Sequence, residues 1–221
     1  MYKPGYRKMA VGVLAVIALV AVGLATPQGR AVAQDILQFF TRAEGREMPL
    51  QPWQIVQPGS VESEPTAEPP APFINIIEAE KQAGFDAAEL PAVPSGLEFL
   101  GARLYGKAIS IEYAAPGADG YLILKQSREG FIQSDWDHVP ADAVIPVRIG
   151  DLDAEFAQGT FVVLPGDASA SWNSSMPVLR LRWVRDGTWY ELVRSGNGAP
   201  AASLDQAALV ALAGSLQYPS P

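Results

Sequence analysis

Lys3, Arg7 and Lys8 precede an unbroken run of uncharged, mostly apolar residues from Met9 to Ala25, and no acidic residue appears before Asp35. That run divides the chain into a part suited to lipid and a part that must fold elsewhere. A bilayer core of about 30 Å takes roughly 17–25 apolar residues of helix, so the run is just long enough to span. It is also longer than the h-region of about 7–15 residues in a secretory signal. The basic flank stays cytoplasmic under the positive-inside rule. The expected topology is therefore a cytoplasmic tail at 1–8, a transmembrane anchor at 9–26 and an extracytoplasmic remainder. The alternative is a cleaved signal, with the small-x-small triplet Ala31-Val32-Ala33 before Gln34 as the cleavage site and a secreted product. Pro27, Gly29 and Arg30 separate that triplet from the apolar run and weigh against it.

The chain has no cysteine, which rules out a lipid-modified cysteine and any disulfide framework in the exported part. The fold must rest on its own hydrophobic core, and roughly 145 residues are enough to build one. The formal charge is −8, and the four basic residues before Asp35 leave 12 basic against 24 acidic groups from Asp35 onward, a net −12. Such a field repels phosphate backbones, so no nucleic-acid partner is expected.

Beyond the break at Pro27, Val32, Ile36, Leu37, Phe39 and Phe40 recur at helical spacing. They predict a juxtamembrane amphipathic helix over 30–44, lying in the membrane interface or else packed on the folded domain. Residues 45–72 then hold seven prolines together with Glu62, Glu64 and Glu68. This composition predicts an extended spacer that holds the following domain off the bilayer. Trp53, Ile55 and Val56 are its one apolar cluster, suited to docking on the domain or touching lipid headgroups.

The domain proper is expected over 73–218. It opens with a short helix whose face carries Ile74, Ile77, Lys81 and Ala83 to Phe85 and whose C-cap is Gly84. Three two-residue turns then set three hairpins. Gly106-Lys107 opposes Leu104 to Ile109, Ala102 to Ile111 and Leu100 to Tyr113. Gly150-Asp151 opposes Ile149 to Leu152, Val147 to Ala154, Ile145 to Phe156 and Arg148 to Asp153. Asp186-Gly187 opposes Leu181 to Leu192, Trp183 to Tyr190 and Arg182 to Glu191. Each register puts apolar residues on one face and charges on the other, which supports the registers jointly. Tyr121–Gln126 reads as one more strand, buried on both faces, and a helix at Leu204–Leu216, capped by Ser203, closes the chain. The fold class is α+β: an antiparallel sheet of about 6–8 strands with N-terminal and C-terminal helices packed on one face, preceded by a transmembrane helix.

The stretch IIEAEKQAGF, the LPAVPSGLEF entry, the VRIGDLDAEF hairpin, the LRWVRDGTWYELV hairpin and the closing SLDQAALVALAGSLQ resemble domain of unknown function 4367. The resemblance covers about Ile74 to Gln217. It implies a bacterial extracytoplasmic domain of anti-sigma-factor-like membrane proteins. The cytoplasmic zinc module of such proteins needs His and Cys ligands. This chain has no Cys, and its one His, His138, lies on the exported side. Sequestration of a sigma factor by this chain is therefore not expected.

No catalytic motif stands out: there is no G-x-S-x-G, no H-E-x-x-H and no glycine-rich phosphate loop after a strand. His138, in SDWDHVP with Asp135 and Asp137, reads as a solvated loop residue rather than a ligand, because a metal site draws several supported ligands. Catalytic residues, metal and cofactors are all expected to be none. Trp136 and Trp172 lie in the two long polar loops. They are either the apolar part of an interaction surface or lids folded back over a core. The expected function is a non-catalytic interaction or sensory domain, with the membrane and an envelope protein as partners. The alternative is a carrier of an apolar ligand held between the sheet and the C-terminal helix.

Overall fold

The computed structural model describes residues 47–49, 71–117, 119–131, 135–163, 167 and 169–219. The expected anchor, the juxtamembrane helix and most of the spacer, including Trp53, Ile55 and Val56, lie outside these residues. No helix among the described residues is long and apolar enough to cross a membrane.

In chain order the elements are β1 (Glu47–Pro49), α1 (Ile76–Ala83), β2 (Glu98–Tyr105), β3 (Ala108–Ala114), β4 (Tyr121–Ser127), β5 (Val144–Ile149), β6 (Leu152–Gln158), β7 (Thr160–Val162), β8 (Ser169–Asn173), β9 (Val178–Arg185), β10 (Thr188–Ser195), α2 (Ala199–Ala202) and α3 (Gln206–Ser215). Seven strands form one antiparallel sheet in the order β2-β3-β4-β10-β9-β6-β5, and a small sheet has the order β1-β8-β7. The architecture is α+β.

The hairpins follow from their turns. Asp186 and Gly187 both take positive φ, 51° and 72°, as a type I′ turn requires. Leu181 then pairs Leu192, Trp183 pairs Tyr190 and Arg182 pairs Glu191. The β5–β6 hairpin has the expected register throughout, with Arg148 Nη1 2.8 Å from Asp153 Oδ1. The β2–β3 hairpin keeps Leu104 opposite Ile109 and Ala102 opposite Ile111, but the register shifts between Phe99 and Gly101. Phe99, not Leu100, faces Tyr113. Gly101 takes a φ of 138° there, and a bulge of this kind inserts one unpaired residue.

The helices differ in detail from expectation. In α1, the Asn75 carboxamide caps the first turn by accepting from Glu78 N (2.8 Å), and Gly84 ends it in the left-handed region. Ala79 and Ala83 make the buried face, whereas Ile77 is 77% exposed. The closing helix starts at Gln206 rather than Leu204, because Asp205 caps it by accepting from Ala208 N (2.8 Å). The Ser203 hydroxyl instead donates to Pro200 O.

α1 packs on β2 and β3, and α3 packs on β5 and β9. Ile109, Ile111, Leu122, Leu124, Leu181, Trp183 and Leu192 of the sheet pack with Leu209 and Ala213 of α3 in one core. Gln126 is a polar residue on this face: fully buried, it exchanges two hydrogen bonds with the Ala88 backbone (2.7 and 2.8 Å). Both sheet edges are blunted. Ile74 pairs with Ala102 on the outer side of β2, and Pro146 sits in the other edge strand, β5.

Candidate functional site

Successive residues of a strand point to opposite faces, so the side chains between the core residues form a second face. It carries Arg103, Glu112, Lys125, Glu155, Arg180, Arg182 and Glu191. Sequence reasoning puts Arg180, Arg182 and Glu191 on the face away from the core. The structure buries four of the charges on this face: Arg180, Arg182, Glu155 and Glu191 are 2–7% exposed.

The cover comes from the loop between β4 and β5. It forms two short 3-10 turns, Asp135–His138 and Ala141–Ala143, and the first lays Trp136 onto the charges. Trp136 is 1% exposed, so its ring is a lid and not a surface feature. Its indole N–H donates to Glu155 Oε2 (2.9 Å). The guanidinium carbons of Arg180 and Arg182 lie 5.0 and 4.9 Å from its ring centroid, within cation–π range. Trp189 is buried on the same face, with Arg182 5.4 Å from its ring. Trp172 stands on β8 rather than in a loop. It is half-buried and meets Phe161 edge-on at 5.2 Å, and with Val139 and Ala157 these rings form a second, smaller core.

The charges are matched. Arg180 donates from Nε (2.9 Å) and Nη2 (2.6 Å) to Glu191 Oε1, and Lys125 Nζ donates to Glu191 Oε2 (3.1 Å). Burial by itself would raise the Glu191 carboxyl, but Arg180 and Lys125 outweigh it and hold the group down at about 2. Arg182 pairs with Glu155 at 3.1 Å and approaches Asp137 at 3.8 Å. Burial lowers its guanidinium from the ordinary value, and Glu155 and Asp137 oppose that. Nearer the β2 edge, Arg103 pairs with Glu112 at 3.1 Å.

Beside this cluster the same face opens into a groove of about 480 Å³. It is lined by Tyr105 and Lys107 at the β2–β3 turn, by Ser110, Ile123, Lys125 and Ser127 of β3 and β4, and by Glu129, Gly130 and Phe131 beyond β4. Glu112 and Glu191 reach it from below, already bound to arginines. The lining brings together ammonium groups, hydroxyls, carboxylates and aromatic rings, with Ile123 and Ile109 as aliphatic surface. His138 lies in the turn, half-buried. Among the described residues, no three His, Cys, Asp or Glu side chains gather closely enough to hold a metal ion.

The sequence held one signal for this site. Arg180, Arg182 and Glu191 alternate with core residues in a hairpin whose neighbour β6 supplies Glu155 at the matching register. What it lacked was any sign that Trp136, from a distant loop, would cover them. No protein-family model, curated protein or solved structure matches this chain.

Proposed function

We propose that this chain is a membrane-anchored extracytoplasmic interaction or sensory domain without a catalytic role. The observation that carries the reading is the basic-flanked run Met9–Ala25, followed by a Pro- and Glu-rich stretch and then a folded domain. Retention of the run as an anchor puts the domain, and the groove on its polar face, outside the cytoplasm and within reach of an envelope protein. The resemblance to domain of unknown function 4367 belongs to the same proposal and rests on the motifs quoted for it.

The groove's form favours recognition over carriage. A carrier of apolar ligands would need its cavity between sheet and α3, where Leu209 and Ala213 are fully buried in the core with Leu181 and Trp183. The groove lies on the opposite face and mixes charge with apolar surface, as partner-binding surfaces do.

Protease added to intact spheroplasts tests the topology. Loss of the domain, with the N-terminal span left in the membrane fraction, is the expected result. Protection of the C-terminus until the membrane is lysed refutes it, and a soluble domain starting at Gln34 supports the cleaved-signal alternative.

A further inference from the structure

We propose that the groove on the polar face is a binding site for a neutral saccharide, with Ser110, Ser127 and Lys125 as its hydrogen-bonding groups and Tyr105 as its stacking surface.

The groove comes from side-chain size. Ser110 lies between Ile109 and Ile111 of β3, and Ser127 follows Gln126 of β4. Those neighbours belong to the core face, so alternation turns both serines to the polar face. Elsewhere that face carries arginines and tryptophans. Where Ala108, Ser110 and Ser127 replace them, a space of about 480 Å³ is left, within the range of about 300–1,000 Å³ for small-molecule sites.

The polar groups in it are buried and not fully used. Ser110 and Ser127 are only 3% and 1% exposed. The Ser110 hydroxyl has no hydrogen-bond partner among the described residues. The Ser127 hydroxyl accepts from Glu129 N (3.2 Å) and keeps its own O–H to donate. Lys125 spends one N–H on Glu191 (3.1 Å) and, with its side chain 39% exposed, retains two more donors. An apolar occupant would strip these groups of water and return no hydrogen bond.

Charge narrows the class. Lys125 is matched by Glu191, and Glu112 by Arg103. Beyond these pairs, Lys107 and Glu129 add one charge of each sign. A charged ligand would have to compete with ion pairs already closed, whereas hydroxyl groups need no counter-charge. The groove also lies over β3, β4 and β10, inside the sheet rather than at its edges, so a peptide cannot join it as an added strand. Tyr105, 54% exposed, and Ile123 offer apolar surface to the C–H face of a sugar ring. Neutral hydroxyls around an apolar ring face are what this lining matches.

The assignment goes beyond the membrane topology proposed above, and its test gives the same answer for an anchored and a secreted domain. The full-length chain, in a detergent without a sugar headgroup, is titrated with maltotriose, cellotriose and tri-N-acetylchitotriose by saturation-transfer NMR. At least one should bind with millimolar affinity or better. Ser110→Ala should weaken that binding about fivefold, the worth of one net hydrogen bond. Tyr105→Ala should weaken it by a similar factor, and its exposed position keeps the test valid should Ser110→Ala disturb the fold. Ala211→Ser, exposed on α3 across the sheet, should leave it unchanged. The proposal is refuted if none of the saccharides binds at millimolar concentration, or if Ser110→Ala and Tyr105→Ala both leave the affinity unchanged. Displacement of the bound saccharide by inorganic phosphate refutes it equally, since the site would then be one for anions.

Discussion

Glu191→Gln removes one charge from the best-buried ion pair of the polar face, and its cost can be worked in two ways. The carboxyl is held at about 2 against its ordinary 4.5. At about 1.4 kcal/mol per pH unit, that depression corresponds to roughly 3 kcal/mol of stability. Independently, removing one partner of a buried pair costs about 3–5 kcal/mol, because the other charge is stranded; here that charge is Arg180, whose side chain is 5% exposed. The sign follows from linkage. A group whose folded value is depressed stabilises the fold above its unfolded value, and that contribution is lost as pH falls from about 4.5 towards 2. Urea unfolding followed by tryptophan fluorescence should thus show the variant about 3 kcal/mol less stable at pH 7. The gap to the unmodified protein should close to below about 1 kcal/mol near pH 2. Replacing the pair together, Arg180→Met with Glu191→Leu, should recover most of the loss, since a packed apolar pair avoids the desolvation of both ions. A loss under about 1 kcal/mol at pH 7, or a gap unchanged from pH 7 to pH 2.5, would refute this account of the polar face.

Trp183→Ala should cost about 3–5 kcal/mol in the same assay, the usual range for a large core aromatic, because Trp183 is fully buried, stacks on Tyr190 at 5.3 Å and donates to Tyr218 Oη. Trp189→Ala should cost a comparable amount, since Trp189 is itself only 5% exposed; a loss below about 1 kcal/mol there would show that the polar face is open to water. Gly159→Ala should lower the thermal midpoint clearly, because Gly159 has a φ of 121° and an added Cβ would lie 2.5 Å from Asn173 O. The backbone strain alone is of order 1–3 kcal/mol, and an unchanged midpoint would mean that the chain does not make its sheet-switching bend there.

The hairpins were legible because two-residue turns leave little freedom. Once Asp186-Gly187 sets the register, a slip by one residue moves Leu181, Trp183, Tyr190 and Leu192 all to the other face. The misreadings fall where a local rule met a competitor. Leu100 reads as facing Tyr113 if pairing continues unbroken, and Gly101 breaks it. Ser203 and Asp205 both have capping chemistry, and only the packed position of α3 decides between them. Ile77 fits a helical stripe, yet the small residues Ala79 and Ala83 bring α1 against the sheet and leave Ile77 in water.

The polar face was illegible for a different reason. Strand alternation tells which side chains share a face; it does not tell what covers that face. Charges at alternate positions ordinarily mean solvent, because an unpaired buried ion costs several kcal/mol. Here the pairing removes that objection: Glu191 accepts from Arg180 and Lys125, and Glu155 accepts from Arg182 and from Trp136. Matched in this way, the face can accept an aromatic lid. Trp136 in turn gains two guanidinium neighbours and a carboxylate acceptor that it would not have on an apolar surface. Neither half predicts the other from local sequence, since Trp136 lies 19 residues from Glu155 and more than 40 from the arginines. The lid also stops short of β3 and β4, and that is why a groove remains beside it. Where Trp136 covers the sheet the charges are sealed; where it does not, Lys107 and the partly exposed Lys125, itself bound to Glu191, line the groove.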